Sequence, residues 1–202
     1  MPNLSSGYII GYHSCDRDLG LRLINGDDEL LPSENTWDWL GSGIYFWEDD
    51  AHRALEYALE NAEGKQKNKT PAKIPFVVGA VIDLGKCLNL VEGESLAILQ
   101  EAYEGLQLVM EAAQMPMPIN KGKNRALDCD VLNYIHQSND AKEIQPYDSV
   151  RCAFPEGDPA FKGSFITKRL HIQLCIRNPE LIVGYFLPKP IDKFNPNLKH
   201  SR

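Results

Sequence analysis

Two short segments carry residue types that can do chemistry on a nucleotide. Gly11-Tyr12-His13-Ser14-Cys15 places an imidazole at the end of one predicted strand, and Leu40-Gly41-Ser42-Gly43-Ile44-Tyr45-Phe46 places a phenol inside another. The glycines beside Tyr45 offer backbone that a flat ring could approach, since a residue without a Cβ leaves its peptide plane uncovered. An imidazole and a phenol so placed suit a nucleotide clamp. Each also has a plainer reading, His13 as a strand-end histidine satisfied by a neighbouring backbone group and Tyr45 as core.

The elements that must position these groups follow from the apolar pattern. Residues 7 to 14, with Tyr8, Ile9, Ile10 and Tyr12, read as a buried strand ending at His13. Asp16 then caps a short helix through Leu19, Leu21, Leu23 and Ile24, which Asn25-Gly26 stops. Asp27 to Leu40, holding Pro32, Trp37 and Trp39, has no clean period and reads as a long loop of the functional kind. Ile44 to Trp47 has strand content, and Glu48, Asp49 and Asp50 open an Ala-rich helix that Gly64 ends. Phe76 to Leu84 is an almost continuous apolar strand.

Farther on, Leu96, Leu99, Tyr103, Leu106 and Met110 recur at helical steps within a helix from Glu94 to Ala113, and 126–136 reads as another. Strands are expected over Ser149 to Phe154, Leu170 to Ile176 and Leu181 to Leu187, with a loose tail after Pro188. Strands at both ends bracketing helices predict an α+β fold, with residues 1–188 as one domain, a helical insertion at about 92–140 and a tail at 189–202.

The 202 residues hold 21 Lys and Arg against 28 Asp and Glu, a net charge of −7 that argues against broad electrostatic binding of nucleic acid. Local basic paths remain, in Lys65, Lys67, Lys69 and Lys73 and in Lys121, Lys123 and Arg125. Such runs read either as solvated loops or as neutralisers of a target's phosphates. Five dispersed cysteines without CxxC spacing point to a reducing, cytoplasmic compartment. His171 and Cys175 share a face of their strand, but two ligands do not make a metal site. Neither a signal peptide nor a membrane span is expected. Gly41-x-Gly43 lacks a third glycine and precedes its strand, which excludes a Rossmann phosphate loop.

Taken in order, Tyr12-His13-Ser14, the helix ending at Asn25-Gly26, Gly41-Ser42-Gly43-Ile44-Tyr45-Phe46 and the Ala-rich helix resemble the catalytic domain of ADP-ribosyltransferases of the poly(ADP-ribose) polymerase type. In that family a His-Gly-Ser or His-Gly-Thr segment precedes Gly-x-Gly-Ile-Tyr-Phe. A third point of similarity is Gln173-Leu-Cys-Ile-Arg177, a strand that the family begins with an acid, usually Glu. The similarity covers residues 7 to 60 and, less specifically, 147 to 187.

The resemblance implies a split antiparallel sheet around a cleft for NAD, which serves as co-substrate, and it calls for no metal. It implies that His13 bonds the hydroxyls of one ribose, that the Ser14 backbone holds the nicotinamide carboxamide, and that Tyr45 stacks on the nicotinamide ring. Gly43 and Ala54 would line the pocket, Gln173 would bond the reacting ribose, and Trp37 or Trp39 would stack on adenine or else cover the core. Breaking the bond from ribose to a cationic nicotinamide gives an oxocarbenium-like transition state with a neutral leaving group, so orientation and electrostatics dominate.

Two residues depart from the family. Ser14 stands where Gly is usual, and Gln173 offers no negative charge where Glu would, which makes chain elongation unfavourable and implies transfer of single ADP-ribose units. Asp148, Glu156 or Glu180 could instead supply the acid, though each reads equally as a solvated loop charge. By resemblance, a compact transferase is expected to be a bacterial or phage-related toxin or conflict factor, with a protein or nucleic-acid acceptor and an antitoxin as partners. A module that binds NAD or ADP-ribose without transfer, and an NAD glycohydrolase, are the alternatives.

Overall fold

The longest apolar run of the chain becomes an interior strand of the sheet. The structure, a computed structural model, describes residues 7–65, 72–122 and 124–200, with the backbone alone for the last two. β3 (Pro75–Ile82) is buried on both faces almost throughout, as a strand between helical layers must be. β1 (Ile9–Asp16) pairs with it antiparallel along its whole length, from Ile9 opposite Ile82 to Asp16 opposite Pro75.

On its other side β1 meets β2 (Ile44–Glu48), which pairs in turn with β6 (Thr167–Ile176). With β4 (Cys87–Asn89), β5 (Ser149–Pro159) and β7 (Ile182–Phe186) the sheet has seven strands in the order β4-β5-β6-β2-β1-β3-β7. The pattern is α+β, but the sheet is mixed, not wholly antiparallel as expected, because β4 runs parallel to β5. A strand of three residues is too short to declare a period, so β4 left no trace in the sequence pattern.

Local signals fix the first two helices. The Asp16 carboxylate accepts the amide of Asp18 to start α1 (Arg17–Asn25), and Gly26, at φ 77°, closes it in the left-handed conformation. Asp50 caps α2 (Ala51–Ala62) by accepting the amide of Arg53 at 2.8 Å. Glu48, expected at that helix start, belongs to β2, where Arg151 grips both its oxygens at 2.6 and 2.8 Å. A bidentate pair across the sheet outweighs the weaker pull of a helix end.

Side chains alternate across each strand, so the sheet builds two cores. On one face α1 packs through Leu23 against Phe46, Phe76, Ile82 and Leu174. On the other, α2 covers Trp47 and Val77 through Ala54. Also there, α3 (Gly93–Ala112) and α4 (Ala126–Ala141) pack on Leu88, Val150 and Cys175. The segment at about 92–140 is thus a helix pair seated on the β4–β5 end, and its second helix runs past His136 to Ala141. β5 and β6 are likewise longer than expected and form an extended hairpin arm. Among the described residues no helix is long and apolar enough to cross a membrane.

The chain after Pro188 is not loose. α5 (Ile191–Phe194) buries Phe194, whose ring meets the imidazole of His52 edge-on at 5.2 Å, and Asn195 is 1% exposed. β7 ends at Phe186, opposite Gly79, so the peptide of Val77 has no strand partner on that side. The Asn195 carboxamide replaces one: Val77 N–H donates to its Oδ1 at 2.9 Å and its Nδ2 donates to the Val77 carbonyl at 2.9 Å.

Asn195→Ala therefore leaves both Val77 groups unpaired and is expected to cost about 2–4 kcal/mol in denaturant unfolding. A second expectation concerns acid. His136 is 3% exposed, among the described residues neither ring nitrogen has a hydrogen-bond partner, and burial together with the Arg177 charge pushes its pKa down to about 3. It is neutral when folded and protonates near pH 6.5 when unfolded, so stability is intact above pH 6.5 and is lost as pH falls towards 3. The slope from this group is about 1.4 kcal/mol per pH unit, and His136→Leu should flatten the fall in melting temperature between pH 6 and 4.

Candidate active site at the fork between β1 and β2

β1 and β2 share only two ladder pairs, Gly11–Glu48 and Tyr12–Trp47, and then part. A His13–Phe46 pair would come next. In its place the His13 side chain reaches across, with Nδ1 2.7 Å from the carbonyl oxygen of Tyr45. A carbonyl can only accept, so Nδ1 carries the proton and Nε2 of the neutral ring is an acceptor. Burial holds the His13 pKa below the ordinary value, outweighing the bond to Tyr45, which favours the charged form.

Peptide direction along β1 locates a second functional group. Asp49 N–H donates to the Ile10 carbonyl, so Ile10 faces β2, whereas Arg17 N–H donates to Ile74 and faces β3. In an antiparallel strand this alternates residue by residue, so the N–H and C=O of Ser14 also point towards β2. Among the described residues no strand pairs with them there. Ser14 thus presents one donor and one acceptor at the fork, and it lines the cavity that opens there.

Tyr45 is pinned at both ends. His13 holds its carbonyl, while its hydroxyl accepts from Leu40 N–H at 2.9 Å and donates to the Gly41 carbonyl at 2.6 Å. Burial raises its pKa well above the ordinary value, so it stays a phenol. The loop before it is knotted as well. Ser33 and Gly43 exchange backbone bonds at 2.8 and 3.0 Å, and Asp38, its pKa raised by burial, accepts from Ser33 Oγ at 2.6 Å and Asn35 N–H at 2.9 Å.

Gly43 has a structural purpose besides its place on the cavity wall. A Cβ there would lie 2.4 Å from Cys175 Sγ and 2.9 Å from the Ile176 carbonyl, so glycine is required by the close passage of β6.

The cavity holds about 430 Å³, within the range of small-molecule sites. His13, Ser14, Gly43, Tyr45 and Gln173 all reach its wall, as do both Trp37 and Trp39. Gln173 arrives because β6 sets it opposite Trp47. Trp39 is more than core cover: Phe154 meets its ring edge-on at 4.6 Å and the Arg125 guanidinium lies 5.2 Å from it. Ala54 does not reach the wall. It is wholly buried under Trp47, because its side of α2 faces the sheet, and Arg53 and Tyr57 reach the cavity instead.

Some wall residues carry no signal in the sequence. Arg53, 7% exposed, lies 5.7 Å from the Trp47 ring and donates from Nη2 to Glu156 Oε2 at 2.8 Å. Glu156 is therefore not a solvated loop charge but half of a partly buried ion pair on the cavity wall, carried there by the β5–β6 arm. The two are 103 residues apart, beyond any local pattern. Of the other acids weighed, Asp148 accepts from Lys86 N–H at 2.9 Å in a turn, and Glu180 is exposed.

His171 bonds the Arg169 carbonyl at 2.7 Å, and among the described residues no group of three or more His, Cys, Asp and Glu is placed to hold a metal. Lys65 lines the cavity, whereas Lys67, Lys69 and Lys123 lie outside the described residues.

No family model matches the chain, and no solved structure matches it significantly. The chain is similar to a protein from Methanocaldococcus jannaschii described as "Uncharacterized protein MJ0359". The two are 25% identical over 203 aligned residues, 91% of this chain and 90% of that one.

The double anchoring of the Tyr45 hydroxyl generates a test. Tyr45→Phe frees Leu40 N–H and the Gly41 carbonyl, so hydrogen exchange at Leu40 should quicken and stability should fall by about 1–3 kcal/mol.

Proposed function

We propose that the protein is a mono-ADP-ribosyltransferase, moving a single ADP-ribose from NAD to a macromolecular acceptor and releasing nicotinamide. The observation that carries this reading is the convergence of His13, the Ser14 peptide, Tyr45 and Gln173, from three distant segments, on one nucleotide-sized cavity. In the same reading the parting of β1 and β2 is the split of an ADP-ribosyltransferase sheet.

Each group has a task suited to its chemistry. The N–H and C=O of Ser14 complement a carboxamide, which also has one acceptor and a donor on the same edge. The Tyr45 ring gives the pyridine a flat neighbour. Nε2 of the neutral His13 accepts from a ribose hydroxyl, and the Gln173 amide orients the hydroxyl nearest the breaking bond. The glycosidic bond then breaks with its electron pair returning to the ring nitrogen, nicotinamide leaves neutral, and the acceptor takes the anomeric carbon.

Gln173 favours one second reading. A neutral amide holds a hydroxyl without stabilising positive charge, which suits a module that binds NAD or ADP-ribose and does not turn it over.

Incubation with NAD labelled in the adenylate half, scored for free nicotinamide and for label on macromolecules, separates these readings. Transfer predicts both products and no polymer. His13→Ala and Tyr45→Ala should each lower nicotinamide release by 10²-fold or more per folded molecule, with circular dichroism and thermal unfolding measuring the folded fraction that each lost bond leaves. Full activity in both variants rejects the site, affinity without release indicates a binder, and free ADP-ribose alone indicates a hydrolase. Because the His13 pKa is depressed, release should hold from pH 8 to 6.5 and decline only at lower pH, as Nε2 is protonated.

A further inference from the structure

A second cavity, of about 300 Å³, adjoins the first, and Trp39 and Glu156 wall both. Arg125, Phe154, Pro155 and the two glycines Gly122 and Gly157 complete it. Its walls suit a flat ring. Trp39 and Phe154 offer aromatic surface 4.6 Å apart, edge to face, and Arg125 adds a cation stacked on Trp39. Gly122 and Gly157 have φ of 60° and 78°; a Cβ at Gly157 would touch the Arg169 side chain at 3.4 Å, whereas one at Gly122 would meet nothing within 4 Å among the described residues, so a ligand can lie against the Gly122 peptide.

Charge points the same way. Residues 119–127 contain Lys121, Lys123 and Arg125 and no acid, within a chain of net charge −7, and Lys65 stands on the wall of the first cavity. Aromatic faces with interleaved cations are what a single strand of nucleic acid requires for its bases and phosphates. A base held in a duplex is stacked and could not enter. The remaining wall group, Glu156, has Oε2 taken by Arg53 at 2.8 Å, and among the described residues Oε1 makes no hydrogen bond. A carboxylate fixed in this way is an acceptor for the N–H of a base edge.

We propose that the second cavity is the acceptor subsite, that it takes a base of a single-stranded nucleic acid, and that Glu156 receives the proton released on transfer. This rests on the transferase reading of the first cavity. A nitrogen of the base forms a bond to the anomeric carbon of NAD as the bond to nicotinamide breaks, and that bond's electron pair leaves with nicotinamide. The nitrogen's proton passes to Glu156 and then to water. The products are nicotinamide, an ADP-ribosylated base and one proton. Glu156 lies between the two cavities, where such a proton must be collected.

Fluorescence anisotropy with end-labelled single-stranded homopolymer oligonucleotides, without NAD, tests the subsite directly. Binding should weaken with salt by a slope of about −0.7 per phosphate contacted and should prefer one base. Arg125→Ala should weaken it at least tenfold. With labelled NAD present, the preferred oligonucleotide should become labelled, and Glu156→Gln, whose amide oxygen can still accept from a base, should cut that labelling by 10²-fold or more, well beyond its effect on oligonucleotide affinity. Thermal unfolding of each variant is followed in parallel, and Glu156→Asp, which keeps the charge beside Arg53, should restore part of the labelling.

No oligonucleotide binding by the wild-type protein, or equal binding by Arg125→Ala, overturns the subsite even if nicotinamide is released. Label confined to protein after nuclease treatment overturns it too and identifies a protein acceptor. Oligonucleotide binding with no nicotinamide release at all overturns the transferase reading, and with it the acceptor role.

Discussion

The bond from His13 Nδ1 to the carbonyl of Tyr45 is the contact on which the rest of the molecule depends. Two strands in the middle of a sheet cannot separate without stranding peptide groups, and a buried unpaired peptide group is costly. Here the separation begins one residue past the Tyr12–Trp47 pair, and the imidazole supplies the donor that a neighbouring peptide would have given. The sheet stays continuous around an opening, with Ser14 on its far lip and lining the cavity there.

Everything else near the fork holds its two sides in place. On one side β1 is backed by β3, whose outer edge is sealed at Val77 by Asn195, directly behind the Ser14–Val77 pair. On the other side β2 is drawn tight against β6 by the missing Cβ of Gly43, and the Tyr45 hydroxyl staples the long loop to the strand that follows it. The ion pair of Arg53 and Glu156 ties α2 to the β5–β6 arm over the same opening. These contacts come from different parts of the chain, and together they leave the cavity little freedom to collapse.

How much of this was legible in the sequence depended on range. β1, β2, β3 and the first two helices announced themselves by apolar runs and by caps such as Asp16 and Gly26, which are local signals. His13, Tyr45 and Gln173 stood out by residue type and by a resemblance that spans several segments. Ala54 was one helical position away from Arg53, which in fact reaches the wall, and helix rotation is not set by composition. The Arg53–Glu156 pair, the Asn195 clasp and the parallel β4 each depend on a partner far along the chain, and no periodicity encodes that. Gly43 stands on the cavity wall, as its place beside Tyr45 suggested, but the close passage of β6 that also requires a missing Cβ there has no local signal.

His13 joins two properties that proteins usually distribute over separate residues. One ring nitrogen completes the sheet, and the other offers a lone pair, with the carbonyl of Tyr45 deciding which is which. Natural variation at this position is therefore judged twice, first on whether the chain assembles and then on whether the assembled molecule works. Selection for the sheet contact alone preserves the imidazole, so the residue would persist as mortar whatever use is made of its other nitrogen.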